Sequence, residues 1–407
     1  MKPLQIDVHA PAADVPAPTL NRPPFECIAL LLQGGGALGT YQAGVYHALS
    51  EAQLHPDWVA GISIGAINAA LIAGNPPDSR VEKLRQFWEQ VTTNPFVASQ
   101  LGGNPFSAWL YDPAVLAPRG DVARGFANQM SAALAMLRGA SGFFEPRWLM
   151  PWLQPSGTLE ATSYYDTAPL KSTLERLVDF DRINAGEMRF SVGAVNVGTG
   201  NLVYFDNKRH RIGPEHVIAS GALPPGFPAI EIEGEYYWDG GLVSNTPLQW
   251  VMESELRQDT LAFQVDLWSA RGSFPRTMAE VTTRQKEIQY SSRTRANSDR
   301  FKYTQRIRNA LASLLQKLPE ELKDSPELAI LEPAACRKSY NLIQLIYRSQ
   351  QYEGDSKDYE FSRASMEDHW HAGYHDTVRT LRHPEVLQLP KNREGVFVFD
   401  LARDGRE

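Results

Sequence analysis

The 407 residues are 43% hydrophobic and 21% charged, and 40 basic against 47 acidic side chains leave a net charge of −7. That balance excludes a disordered chain and disfavours a dedicated nucleic-acid binder. The two cysteines, Cys27 and Cys336, give neither a disulfide scaffold nor a metal-binding spacing, so a reduced, cytoplasmic setting is expected. No apolar run approaches the roughly 18 residues that span a bilayer, and the N-terminus lacks the order of a signal peptide. Any membrane contact is therefore expected to be peripheral, at the inner surface.

Residues 1–24 are rich in Pro and Ala and read as a flexible leader. Order is expected from Phe25. The apolar run 25–32 is too short for a globular helix and predicts a buried strand. It ends at Gln33-Gly34-Gly35-Gly36-Ala37-Leu38-Gly39, with a helix following to about Gln53. A second strand, 58–60, runs into Gly61-Ile62-Ser63-Ile64-Gly65, and an apolar helix over 66–73 is closed by Gly74. Strand, loop, helix, strand, turn, helix is the pattern of an α/β fold with a mainly parallel central sheet.

Leu84, Phe87, Trp88 and Val91 predict an amphipathic helix over 80–92. The stretch 102–157 then gathers Phe106, Trp109, Tyr111, Phe143, Phe144, Trp148 and Trp152 among Gly and Pro, and reads as an inserted aromatic cap. Either an acyl channel or lid, or a small core of its own, suits that composition. The sheet is expected to resume at 190–196, with a hairpin partner at 202–205 across a Gly-Thr-Gly-Asn turn. A helix over 214–220 and an irregular Pro-rich stretch 224–228 lead to a strand that delivers Asp239-Gly240-Gly241. Residues 260–267 read as the last core strand. Beyond 278 the chain looks mostly helical and polar, a C-terminal extension to 407.

Three consecutive glycines after a strand let backbone N–H groups point at an anion, at a helix N-terminus whose dipole also favours negative charge. A phosphate loop would need a Lys that is absent here. Gly34, Gly36 and Gly39 satisfy a dinucleotide spacing, but a serine turn stands where the acidic ribose ligand should be. The third use is an oxyanion hole for acyl transfer, built on Gly34, Gly35, Gly36 and Ala37. Gly61-x-Ser63-x-Gly65 between strand and helix has the context of a nucleophile elbow. The serine needs a base. In chain order Ser63, Asp239 and His375 would form a hydrolase triad, while Asp239 alone would suffice if burial raises its basicity.

Together these motifs resemble the patatin-like phospholipase family over about residues 25–268. Gly34–Gly39 looks like its oxyanion loop, Gly61–Gly65 its elbow, and Asp239-Gly240-Gly241 the motif carrying the second member of its Ser–Asp dyad. Ala66, Asn68, Ala219-Ser220 with Pro224, and Asn245-x-Pro247 also match. The resemblance implies a three-layer α/β sandwich and a lipid acyl hydrolase that needs neither metal nor organic cofactor. Ser63 and Asp239 would be catalytic, with Gly39, Gly61, Gly65, Gly240 and Gly241 supporting. Leu38 departs from the family, which often has Arg or Lys there, so less fixed positive charge is expected near the hole.

Two other readings stay open: a His-dependent esterase or thioesterase, and an idle lipid-binding protein that keeps the fold. Residues 284–308 hold eight basic side chains against Glu287 and Asp299. If helical, that segment could rest on anionic headgroups, or it could simply pair with acidic loops. Apart from that surface and a lipid ester substrate, no partner is expected, and no nucleic acid.

Overall fold

The computed structural model describes residues 17–18, 20–92, 121–254, 257–291, 294–319, 322, 325–350, 352–390 and 395–400. Most of the expected leader, cap residues 102–120 with Phe106, Trp109 and Tyr111, and Arg293 lie outside the described residues.

The first strands are β1 (Cys27–Leu32), β2 (Trp58–Ile62), the two-residue pair β3 (Glu145–Pro146) and β4 (Tyr165–Asp166), and β5 (Arg189–Asn196). After them come β6 (Leu202–Asp206), β7 (Ile230–Ile232), β8 (Glu235–Asp239), β9 (Thr260–Asp266), β10 (Tyr340–Ile346) and β11 (Val396–Phe399). Nine of them form one sheet in the order β11-β10-β9-β1-β2-β5-β8-β7, with β6 also on β5, while β3 and β4 make a separate hairpin. Its core is parallel: β1 runs beside β2 with Leu30 opposite Val59, and beside β9 with Leu30 opposite Phe263. The antiparallel pairs lie on the β5 side.

Every residue of β1 is buried, because helices cover both faces of a parallel sheet. Side chains alternate between the two layers. Ile28, Leu30 and Leu32 join the core under α1 (Thr40–Glu51), α2 (Ile64–Ala73) and α3 (Arg80–Val91). Cys27, Ala29 and Leu31 join the opposite core with Leu248, Met252 and Phe301. The result is the three-layer α/β sandwich.

Two features differ from the expectations. β9 is not the last core strand: β10 pairs in parallel with its whole length, from Tyr340 opposite Thr260 to Ile346 opposite Asp266, and β11 forms the edge. Asn341 and Gln344 break the apolar run and hide β10 in the sequence. They are tolerated because Asn341 Nδ2 donates to the carbonyls of Val386 and Gln388, and Gln344 Nε2 donates to Ser298 Oγ. The helix Arg363–Leu381 lies on α1, with Trp370 fully buried and Tyr41 Oη donating to Asp376 Oδ2 at 2.8 Å. The C-terminal region is thus part of the sheet and of its helical layer. The described part of the leader is also packed: Ala17 is buried, and Leu20 N–H donates to the carbonyl of Ala52.

Candidate active site

β2 ends at Ile62 and α2 begins at Ile64, leaving Ser63 alone in the turn with φ 56° and ψ −125°. A non-glycine residue at positive φ is strained and persists only where its surroundings hold it. Here the Ser63 N–H donates to Ser220 Oγ at 3.0 Å and to the Ser220 carbonyl at 3.1 Å. Ser220 Oγ in turn donates to the Gly193 carbonyl at 2.6 Å. The turn is so sharp that a Cβ on Gly61 would stand 2.2 Å from the Gly65 carbonyl oxygen, hence glycine there. Asn68, one turn into α2, ties the elbow to the glycine loop through Nδ2 donating to the Gly39 carbonyl at 2.9 Å.

Asp239 ends β8 opposite Ala194 of β5, and is 3% exposed. Its carboxylate accepts the Gly241 N–H at 2.7 Å and shares the cavity wall with Ser63, whose hydroxyl acts on it. Burial pushes its pKa up to about 6, against the opposing pull of Ser63 and Gly241. A buried carboxylate of that basicity is a competent proton acceptor near neutral pH.

Among the described residues no histidine lines the cavity above Ser63. His375 lies on the helix over α1, its ring against Tyr374 and His371. The structure therefore brings Ser63 and Asp239 together and leaves His375 out. No group of three or more His, Cys, Asp or Glu among the described residues could hold a metal.

Beyond β1 the glycine loop enters a short 3-10 turn, Gly36–Gly39, and then α1. It passes directly over the serine: a Cβ on Gly34 would stand 3.0 Å from the Ser63 Cβ. Of the four residues expected to furnish the oxyanion hole, two are already engaged. Gly34 N–H donates to the Asn245 carbonyl at 3.2 Å, and Ala37 N–H to the Asp358 carbonyl at 2.8 Å. The amides of Gly34 and Ala37 thus hold the loop, and those of Gly35 and Gly36 are left without a protein acceptor among the described residues. The Gly34 carbonyl is fixed as well, accepting from Asn245 Nδ2 and Trp268 Nε1.

Leu38 is fully buried in the core, so its position contributes no charge to the site. The cation nearest the loop's clasp comes from elsewhere. Lys286 Nζ donates to both Asp358 carboxylate oxygens, at 2.9 and 3.2 Å, and to the Asp355 carbonyl. Arg284, in the same basic segment, pairs with Glu287 and donates to the Ala270 carbonyl. Both side chains are committed to the protein.

Ser63 and Asp239 sit in the wall of a cavity of about 520 Å³. Most of the remaining lining is apolar, with Ile67, Phe143, Phe144, Leu223, Phe227 and Phe361 prominent beside Asn245 and Asp358. Phe144 packs edge-to-face on Tyr165 at 5.0 Å, so part of the cap does line this space. A larger cavity of about 750 Å³, walled by Arg189, Tyr204, Lys208 and Trp250, contains none of the motif residues. The serine, the buried carboxylate and the free amides all point to the smaller one.

Asp358, Tyr359, Phe361, Trp268 and Tyr290 carried no signal in the sequence; they reach the site only by tertiary packing. Ser220 and Asn245 were visible as motif residues but not in their roles.

Comparisons with known proteins agree on one family. A family model described as patatin-like phospholipase matches residues 30–251, and a second, described as patatin phospholipase, matches 288–393. Patatin-like phospholipase domain-containing protein 7 of Rattus norvegicus is 39% identical over 69 residues, 17% of this chain and 5% of its own. Patatin-like phospholipase domain-containing protein 6 is 42% identical over 67 residues in both Mus musculus and Homo sapiens, 16% of this chain and 5% of theirs. The matched stretch is thus a small part of these relatives. Among solved structures, VipD from Legionella pneumophila aligns over 94% of this chain and 76% of its own, at 14% identity and a TM-score of 0.39.

Proposed function

The chain belongs to the patatin-like phospholipase family, and from that premise we propose that it is a serine lipid acyl hydrolase acting on carboxylic esters of (phospho)lipids through a Ser63–Asp239 dyad. The observation that carries the reading is a buried Asp239 carboxylate beside Ser63 in the wall of one largely apolar cavity.

In this mechanism Ser63 Oγ attacks the ester carbonyl carbon while Asp239 takes the hydroxyl proton. The carbonyl oxygen becomes an oxyanion facing the free amides of Gly35 and Gly36. Collapse breaks the bond to the alcohol, which leaves with the proton from Asp239. Water, activated by the same carboxylate, then releases the fatty acid and restores Ser63. The apolar lining suits an acyl chain and excludes water from the developing charge. Neither a metal nor an organic cofactor enters this scheme.

Peripheral action at a membrane is part of the proposal. Arg284 and Lys286 are turned to protein partners, so contact of 284–308 with anionic headgroups falls to the other basic side chains of that segment. No helix among the described residues is long and apolar enough to cross a membrane.

Labelling with a fluorophosphonate serine probe tests the dyad. Wild type should label, Ser63→Ala should not, Asp239→Ala should label weakly, and His375→Ala should label and turn over as wild type does. Loss of labelling in His375→Ala would return the histidine-dependent reading. A folded wild type that neither labels nor hydrolyses would leave an idle lipid-binding protein.

A further inference from the structure

β3 and β4 form a two-rung hairpin, Glu145 opposite Asp166 and Pro146 opposite Tyr165, whose connection is the long loop 147–164. The hairpin's base belongs to the wall of the Ser63 cavity. Tyr165 packs on Phe144 and Phe227 there, and its hydroxyl donates to the carbonyl of Met136, itself a cavity residue. The neck of the loop is tied by Arg147, whose N–H donates to the Tyr164 carbonyl and whose Nε donates to Ser163 Oγ.

Beyond that neck the chain does the opposite of what its composition suggests. Residues 148–159 read Trp-Leu-Met-Pro-Trp-Leu-Gln-Pro-Ser-Gly-Thr-Leu, with no ionisable side chain. Trp148 is 96% exposed and Trp152 70%, and Leu149, Met150, Leu153 and Leu159 are exposed with them. The loop is neither a core nor a lining. Met136, at the cavity wall, and Leu137 beside it are exposed as well.

Large exposed apolar patches mark interaction sites. Protein interfaces anchor tryptophans in packed pockets with neighbours around them. A ring that is 96% exposed has almost nothing beside it; it protrudes, and a protruding indole suits the headgroup region of a bilayer, where its apolar body and its N–H are both accommodated. With no charge in the loop, the attraction would come from apolar partition rather than from anionic lipid.

We propose that residues 148–159 are a membrane-docking loop whose tryptophans partition into the interface of a lipid bilayer, neutral bilayers included, and hold the mouth of the Ser63 cavity against it. The docking stands on exposure and composition; its consequence, delivery of an acyl chain to Ser63, rests on the function proposed above.

Flotation of the full chain with phosphatidylcholine vesicles tests the loop, using a Ser63→Ala background so that no lipid is consumed. The parent should float equally well at low and high salt. Adding Trp148→Ser and Trp152→Ser should lower the partition coefficient by at least about tenfold, since each buried ring of this size is worth more than one decade of affinity, with thermal unfolding unchanged. If that pair fails to fold, Leu149→Ser with Leu153→Ser repeats the test. A variant that floats like its parent overturns the proposal. So does a parent that binds only anionic vesicles and leaves them at high salt, and so does one that binds neither kind, which would favour a protein partner. With Ser63 intact, the ratio of vesicle to soluble-ester turnover should fall in the tryptophan variant. Absence of turnover on both esters by the unmodified chain would defeat the catalytic reading and leave the flotation result standing.

Discussion

The N–H of Ala37 donates to the carbonyl of Asp358 at 2.8 Å, so a residue from the C-terminal region closes the glycine loop laid down just after the first strand. This bond removes one amide from the candidate oxyanion hole and, by fixing the loop, orients the two that remain. The C-terminal region thereby becomes a structural condition of the site: Asp358, Tyr359 and Phe361 stand in the cavity wall, and Lys286 holds the Asp358 side chain in place.

Loosening that clasp should impair turnover without unfolding the chain. In Lys286→Met the Asp358 carboxylate loses its cation, the segment around it gains freedom, and the Ala37 bond weakens. We expect kcat to fall about ten- to a hundredfold, the scale of a small misplacement of catalytic groups, with KM nearly unchanged. Steady-state kinetics on a soluble ester decides it; an unaltered kcat would make the clasp mere packing.

Gly36 has φ +57°, and a Cβ there would stand 2.0 Å from the Asp358 carbonyl oxygen. Gly36→Ala must therefore move either the loop or the clasp. Loss of one oxyanion donor costs roughly 10²–10³ in rate, and kcat of this variant should drop by that factor while probe binding to the apolar cavity persists. A kcat within threefold or so of wild type would show that the Gly36 amide does not face the oxyanion.

The pH profile of kcat/KM should carry an acid limb near the Asp239 value of about 6. A base works only when ionised, so activity should be full above that value and fall about tenfold per pH unit below it. A limb near 4 would mean that Asp239 is solvated in the working enzyme. No acid limb at all would remove it from the proton transfer.

The same carboxylate should cost stability. Its folded pKa lies above the ordinary carboxylate value, so the folded state binds the proton more tightly than the unfolded chain does. Stability is then highest below about pH 4 for this group, declines as pH rises to about 6, and stays reduced above. Carrying the charge costs about 3 kcal/mol at neutral pH. Asp239→Asn, which keeps an acceptor for the Gly241 N–H, should raise the melting temperature at pH 8 and lose that advantage towards pH 4. An equal or lower melting temperature at pH 8 would mean that the pull of Ser63 and Gly241 on the carboxylate fully offsets burial.

How much was readable beforehand depends on how far apart the partners lie in sequence. The run Cys27–Leu32 announces a buried central strand by composition alone, since a strand covered on both faces must be apolar throughout. Gly61-x-Ser63-x-Gly65 announces its turn because the close crossing of Gly61 and Gly65 admits no side chain. By contrast β10 was missed because Asn341 and Gln344 look like solvent-facing residues until their buried partners are known. The aromatic stretch could be read as a core or a channel. The structure divides it, with Phe143 and Phe144 against the cavity and Trp148 and Trp152 in the open.

The sequence by itself determined the α/β grammar, the place of the serine turn, the aspartate that follows a strand into two glycines, and the family these belong to. Each is a local pattern, imposed by backbone geometry over a few neighbouring residues. Only the tertiary structure decided which amides of the glycine loop stay free, that His375 stands apart from Ser63, and that Asp239 is buried. Those outcomes rest on a carbonyl at Asp358, on burial under distant elements, and on main-chain groups that every residue carries alike. A carbonyl oxygen has no letter in the sequence, so its partner is chosen by packing alone.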